Sequence, residues 1–132
     1  MTTNILLLDV DGVLKSLQGA AGTIRGTDWK EGVQEFVAWC QEQFHVVLIL
    51  SSWQAHIHPE FAALDIHLPS LSWKATKTEG LAGLVGPGKK IVWVEDGWDA
   101  EDRARAESLG ITLVETHFHE PLTLTRQKIA AA

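Results

Sequence analysis

Asp9 and Asp11 stand one residue apart in the stretch NILLLDVDGVLKS, residues 4–16, where an apolar run ends just before Gly12. A carboxylate is a competent nucleophile when a difficult displacement must be split into two easier steps through a covalent intermediate. An acid two residues further on has the reach to protonate the leaving oxygen, and then to activate the water that releases the intermediate. Further along the chain, Ser51 is the first polar residue after a second apolar run, with Ser52 beside it. Lys77 precedes a helical pattern, with Lys74 one turn earlier, and Glu95, Asp96 and Asp99 lie in the stretch EDGWD. Gathering these acids at one place is costly. Two like charges about 4 Å apart repel by roughly 4 kcal/mol at an effective dielectric of about 20. A hard divalent cation removes that conflict, and oxygen ligands with few protein contacts suit Mg²⁺.

The elements that must carry these residues alternate in type. Residues 4–9 form a continuous apolar run of strand length, as in a strand buried on both faces. The glycine-rich residues 15–27 read as a loop or small hairpin, after which Thr27 or Asp28 caps a helix. Trp29, Val33, Phe36, Val37, Cys40 and Phe44 give that helix one apolar face. Residues 45–52 (HVVLILSS) are a second buried strand, and HPEFAALD is a short helix. Thr76 and Glu79 make a capping-box pattern, so a helix is expected from about Thr78. KKIVWVED is a third strand, Asp99 caps the helix AEDRARAESL, ITLVET is a fourth strand and LTLTRQKIAAA a last helix. Strands alternating with helices predict an α/β domain with a central parallel sheet and right-handed crossovers. Such sheets bind ligands beyond the carboxyl ends of their strands. Asp9, Ser51, Glu95 and Asp96 all fall at predicted strand ends, so they are expected to converge on one edge.

Composition bounds the alternatives. The chain has 132 residues, a length that suits one domain spanning 1–132, and is 45% hydrophobic and 21% charged, as expected of a globular core. The formal net charge of −6 disfavours a protein that coats nucleic acid electrostatically. Five of the acids belong to the expected site, so the rest of the surface is close to neutral. No 18-residue apolar window predicts a membrane span, and the N-terminus lacks the basic region of a signal peptide. The one cysteine, Cys40, has no internal disulfide partner, and a reducing cytoplasm is the simplest location.

The order and placement of DVDGV after the first strand, Ser51 after the second, Lys77 before a helix and EDGWD after the third resemble the four motifs of the haloacid dehalogenase superfamily. This is a large group of mostly Mg²⁺-dependent phosphatases. The resemblance runs through nearly the whole chain, with Glu95-Asp96 where the family commonly has Asp-Asp or Gly-Asp. It implies a three-layer Rossmann-like fold. It also implies hydrolysis of phosphomonoesters through an aspartyl-phosphate, with Asp9 as nucleophile and Asp11 as general acid and base. The Mg²⁺ ligands would be the Asp9 carboxylate, the Asp11 main-chain carbonyl and Asp96, with Glu95 or Asp99 acting through water. Ser51, in preference to Ser52, would hydrogen-bond a phosphoryl oxygen beside the Gly12 turn. Lys77, in preference to Lys74, would balance the developing charge.

Neither residues 15–27 nor residues 53–76 have room for the cap domain that many members carry, so the site is expected to be open. Open sites suit large phosphorylated substrates, and residues 51–80 also resemble small capless phosphatase-like domains, some fused to RNA-repair proteins. The partner is then a phosphorylated small molecule or a nucleic-acid end, with no membrane involved. The alternative is a non-catalytic binding or regulatory module of the same fold. A phosphoryl-receiver switch fits less well, because its phosphorylated aspartate follows a later strand. The pairs His56/His58 and His117/His119 would each share a face if extended, but a structural zinc usually has four ligands with cysteine among them. Trp53, Trp73 and Trp98 flank the motif residues, either as an aromatic wall for a planar group or as packing under loops.

Overall fold

The computed structural model describes residues 2–16 and 28–132. The glycine-rich segment expected to be a loop or hairpin lies, from residue 17 to residue 27, outside the described residues. In chain order the elements are β1 (Thr3–Leu8), α1 (Val33–Gln43) and β2 (Val46–Ile49). A 3-10 turn (Gln54–Ile57) then runs into α2 (His58–Ala62), and a 3-10 helix (Lys77–Gly83) leads to β3 (Lys89–Glu95). The chain ends with α3 (Ala100–Ser108), β4 (Thr112–Glu115) and α4 (Leu122–Ala130). The strands pair in the order β2-β1-β3-β4, and these three strand pairings are all parallel. Beyond β2, Ser70 makes one more parallel bridge to Ile49, with Ile49 N–H donating to Pro69 O and Leu71 N–H to Ile49 O, each at 2.8 Å.

Because neighbours on a strand point to opposite faces, the near-continuous apolar runs bury both sides of the sheet. Leu6 and Leu8 of β1, with Val92 and Val94 of β3, meet Phe36, Val37 and Cys40 of α1, Phe61 of α2, and Leu122 and Ile129 of α4. Ile5, Leu7, Ile91 and Trp93 face the other way, toward Leu81 of the 3-10 helix and Ala106 of α3. The protein is therefore an α/β fold with helices on both faces of a parallel sheet. β1 lies in the middle. The chain leaves it for β2 on one side and later returns to β3 on the other. In sheets of this kind, such a reversal of strand order is where a crevice opens at the strand C-termini.

Two local expectations change. The first helix begins at Val33, not near Asp28, and Gly32 at φ 79° is its N-cap without a side-chain cap. The reason is a competing pairing. Trp29 makes an antiparallel bridge to Lys15, and Lys30 N–H donates to Leu14 O at 2.9 Å, so this backbone is extended and not helical. Trp29 consequently leaves the helix face and stacks on Phe61 at a centroid distance of 5.2 Å. The helix expected near Thr78 is a 3-10 helix starting at Lys77, with the Thr76/Glu79 capping box formed. Glu79 also accepts main-chain N–H groups from Lys74 and Ala75, which folds the preceding turn back over the helix start.

The register makes Leu6 a sensitive probe of this frame, since it is fully buried between Val47 and Val92. Leu6→Ala is expected to lower unfolding free energy by about 2–5 kcal/mol in urea denaturation. A change below about 1 kcal/mol would contradict the packing described.

Candidate active site

The sheet register brings the acids together. Leu8 pairs with Val94, and Asp9 N–H donates to Val94 O at 3.2 Å, so Asp9 and Glu95 end adjacent strands side by side. Both are buried, at 8% and 5% exposure. Lys77 reaches between them from the 3-10 helix. Its Nζ lies 3.4 Å from Asp9 Oδ1 and is hydrogen-bonded to Glu95 Oε1. The capping box, the buried Leu81 and the buried Thr78 hold that helix in place, and Arg105 of α3 donates to Thr78 Oγ1 at 2.8 Å. Lys74 is exposed, so Lys77 is the lysine that the fold delivers to the acids.

The segment after β1 turns sharply. Asp9 Oδ1 accepts the N–H of Val10 at 2.8 Å, and three amides, of Val13, Leu14 and Lys15, converge on Val10 O. Gly12 has φ +84°, and a Cβ there would lie 2.3 Å from Asp96 Oδ2. Glycine is therefore required twice, by its backbone conformation and by the close approach of a carboxylate. Asp96, the residue after β3, is thus pressed against the turn that carries Asp9 and Asp11. Asp99 is not part of this group. Its carboxylate caps α3 by accepting from Asp102 N–H at 2.7 Å.

Ser51 lies one residue past the Leu50 N–H bond to Leu8 O, on the same sheet edge. It is fully buried, and its Oγ accepts the N–H of Trp53 at 3.1 Å; Ser52 is exposed. No hydrogen bond between Ser51 and the acids is formed. Two tryptophans brace these residues. Trp73 Nε1 donates to Ser51 O and Trp53 Nε1 to Asp11 Oδ2, each at 3.0 Å, while Trp98 packs edge-on to Trp93 at 5.7 Å.

Lys30 was not singled out by its sequence position. It is buried, and its Nζ donates to Gly12 O at 3.2 Å and to His117 O at 3.3 Å, tying the turn after β1 to the loop after β4. Burial brings it down to about 8, against the opposing pull of Glu120 and Asp96. An isolated lysine in a polar stretch carries no sequence signal for such a role. Cys40 is no rival nucleophile, since burial pushes its thiol up to about 12.

Burial dominates the electrostatics of the acids. It raises Asp9 to about 6 against the attraction of Lys77, with Asp96 adding to the rise. Glu95 goes up to about 8 through burial and the charge of Asp9, and Asp96 is raised by burial in the same way. Lys77 is lowered by burial but pulled higher by Asp9 and Glu95, and the net shift is upward. Such clusters of perturbed groups at a strand edge are characteristic of functional sites.

Among the described residues, no three His, Cys, Asp or Glu side chains form a group able to hold a metal ion. A donor set for Mg²⁺ would be two carboxylates, Asp9 and Asp96, with the Asp11 carbonyl. It fits the ion's preference for oxygen ligands with several waters retained. The contact between Asp96 and the Gly12 turn is the structural feature that joins those donors. No family of known proteins, no curated protein and no solved structure matches the chain.

Two outcomes check this geometry. Gly12→Ala must strain the turn or displace Asp96, and is expected to cost about 1–3 kcal/mol of stability, with loss of any Mg²⁺ binding seen by calorimetry. Full stability combined with unchanged Mg²⁺ binding would contradict the close approach. The second outcome concerns pH. Asp9 and Glu95 have folded values above their unfolded ones, so the native state holds protons that the unfolded chain releases. Their contribution is complete below about pH 4 and is lost as pH rises through about 6 and then about 8. In chelator, wild-type stability is expected to fall between pH 6 and 8. Glu95→Gln is expected to flatten that fall by up to about 1.4 kcal/mol per pH unit. Parallel curves for the two proteins would refute the shift at Glu95.

Proposed function

We propose that the protein is a Mg²⁺-dependent phosphomonoester hydrolase of the haloacid dehalogenase type, acting through an aspartyl-phosphate. One observation carries the reading. Asp9 is buried at the end of the central strand with Oδ1 engaged by Val10 N–H and Lys77, and Asp11 follows two residues later in a glycine turn that packs on Asp96. With Oδ1 held, Oδ2 of Asp9 is the atom to attack phosphorus. Its bond to phosphorus forms as the bond to the leaving oxygen breaks, and the carboxyl of Asp11 gives that oxygen its proton. Asp11, now a carboxylate, takes a proton from the water that attacks the phosphoaspartate, which releases inorganic phosphate and restores both residues.

Lys77 would balance the charge that builds on the phosphoryl oxygens, and Ser51, at the same sheet edge with its Oγ accepting from Trp53 N–H, would donate its O–H to one of them. Asp9, Asp96 and the Asp11 carbonyl would hold Mg²⁺, which would supply Lewis-acid neutralisation of the phosphate. No helix among the described residues is long and apolar enough to cross a membrane. Residues 53–76 form a turn, a short helix and the extended Ser70 bridge, with no cap-sized insertion. An uncapped edge suits a large substrate, and a nucleic-acid end in a reducing cytoplasm is the narrower form of this proposal.

A second reading, a binding module without turnover, is favoured by two features. Lys77 is engaged with Glu95 as well as Asp9, and Ser51 is fully buried. Phosphate release from a panel of phosphomonoesters, 5′- and 3′-phosphorylated oligonucleotides included, separates the two. Release is expected with Mg²⁺, not with chelator, and Asp9→Asn is expected to lower it by about 10³-fold or more. Tight Mg²⁺ binding with no release from any ester would establish the binding module instead.

A further inference from the structure

Trp53 is tied to two of the chain segments that meet at the sheet edge. Its indole Nε1–H donates to Asp11 Oδ2 at 3.0 Å, and its main-chain N–H donates to Ser51 Oγ at 3.1 Å. The indole is itself seated on Lys15. The Lys15 ammonium lies 5.0 Å from the Trp53 ring centroid and 4.6 Å from that of Trp29, and it is ion-paired with Glu60 of α2. Lys15 is only 2% exposed. Removing an ammonium from water is expensive, and here one carboxylate and two aromatic faces offset the cost.

The main chain of the same lysine closes the turn around Asp11. Lys15 N–H donates to Val10 O at 2.9 Å, and Gly12 N–H donates to Lys15 O at 2.8 Å. One residue thus braces both the turn that carries Asp11 and the indole that binds its carboxyl. Proton delivery needs heavy atoms within about 2.6–3.2 Å in the reacting complex. A carboxyl on two rotatable bonds keeps that geometry only if something rigid holds it. A tryptophan fixed at its backbone, its ring face and its N–H is such a support.

We infer that Trp53 is a positioning residue for Asp11, seated by Lys15, and that it aims the Asp11 carboxyl at the leaving oxygen of the ester. The inference rests on the phosphatase reading above. In the step concerned, the Asp9 oxygen bonds to phosphorus, the bond from phosphorus to the leaving oxygen breaks, and the Asp11 proton passes to that oxygen to give an alcohol. The need for this proton depends on the leaving group. A 4-nitrophenolate departs readily without it, whereas a simple alkoxide does not. A defect in aiming Asp11 therefore falls on alkyl esters, and a general loosening of the fold falls on both kinds of ester alike.

The experiment measures kcat and KM for 4-nitrophenyl phosphate and for an alkyl phosphate, with Mg²⁺, on wild type, Trp53→Phe, Asp11→Asn and the double variant. Replacement of Trp53 by 3-benzothienylalanine, which keeps the ring shape but lacks the N–H, separates the hydrogen bond from packing. The expected result is a loss of kcat/KM in both Trp53 variants that is about tenfold or more greater on the alkyl ester. The loss should lie mainly in kcat, share the leaving-group preference of Asp11→Asn, and disappear in the Asp11→Asn background. Equal losses on the two esters, or wild-type behaviour of the benzothienyl protein, would overturn the role of Trp53 and leave the phosphatase reading standing. A wild-type protein inactive on both esters would remove the phosphatase reading and this inference with it.

Discussion

The ammonium of Lys77 permits the central feature of the structure, two carboxyl groups buried side by side at the ends of β1 and β3. Asp9 and Glu95 are forced together by the register of the sheet, because every pair from Thr3↔Lys89 to Leu8↔Val94 is in step. Burial and mutual repulsion drive both toward their neutral forms, and Lys77 opposes that drive. A lone buried charge is strongly unfavourable, whereas a satisfied group of three is tolerated. The cation is brought by a 3-10 helix that anchors itself in the core through Leu81, and whose start is held by a capping box and by Arg105. The site and the packing of the second sheet face therefore stand or fall together.

Around this ion cluster the structure invests in rigidity. Buried polar groups reward a fold only when each finds a partner. Lys30 joins Gly12 to His117, Trp73 joins Ser51 to the segment after α2, and Trp53 joins Asp11 to the end of β2. Lys15, Trp29 and Glu60 close the remaining side. Half-buried tryptophans suit this work, because each offers a large apolar body and a single N–H at its rim. They act here as braces around the acids, a different use from the open aromatic wall that their positions beside the motifs also allowed.

Much of the arrangement was legible in the sequence because it is local. The four strands, the two aspartates at the end of the first, the capping box at Thr76 and Glu79, and the cap at Asp99 all follow from patterns a few residues long. The start of α1 was not legible. Trp29 fits the helical spacing of the apolar face, but its backbone is claimed by a bridge to Lys15, fourteen positions away. Helical periodicity says nothing about a competing partner that distant. Lys15 and Lys30 were equally silent, since a single lysine is normally a solvated surface residue.

By itself the sequence determined the alternation of strands and helices, which fixes a parallel sheet, and the placement of Asp9, Ser51, Glu95 and Asp96 at strand ends. It did so because strand and helix periodicities, and the rule that ligands gather at strand C-termini, depend on order along the chain. Only the tertiary structure decided which groups touch. It selected Lys77 over Lys74, set Asp99 apart as a cap, pressed Asp96 onto Gly12, and turned Lys15, Lys30 and Trp53 inward. Those outcomes depend on distances across the sheet edge, which arise from packing two layers of helices onto four strands.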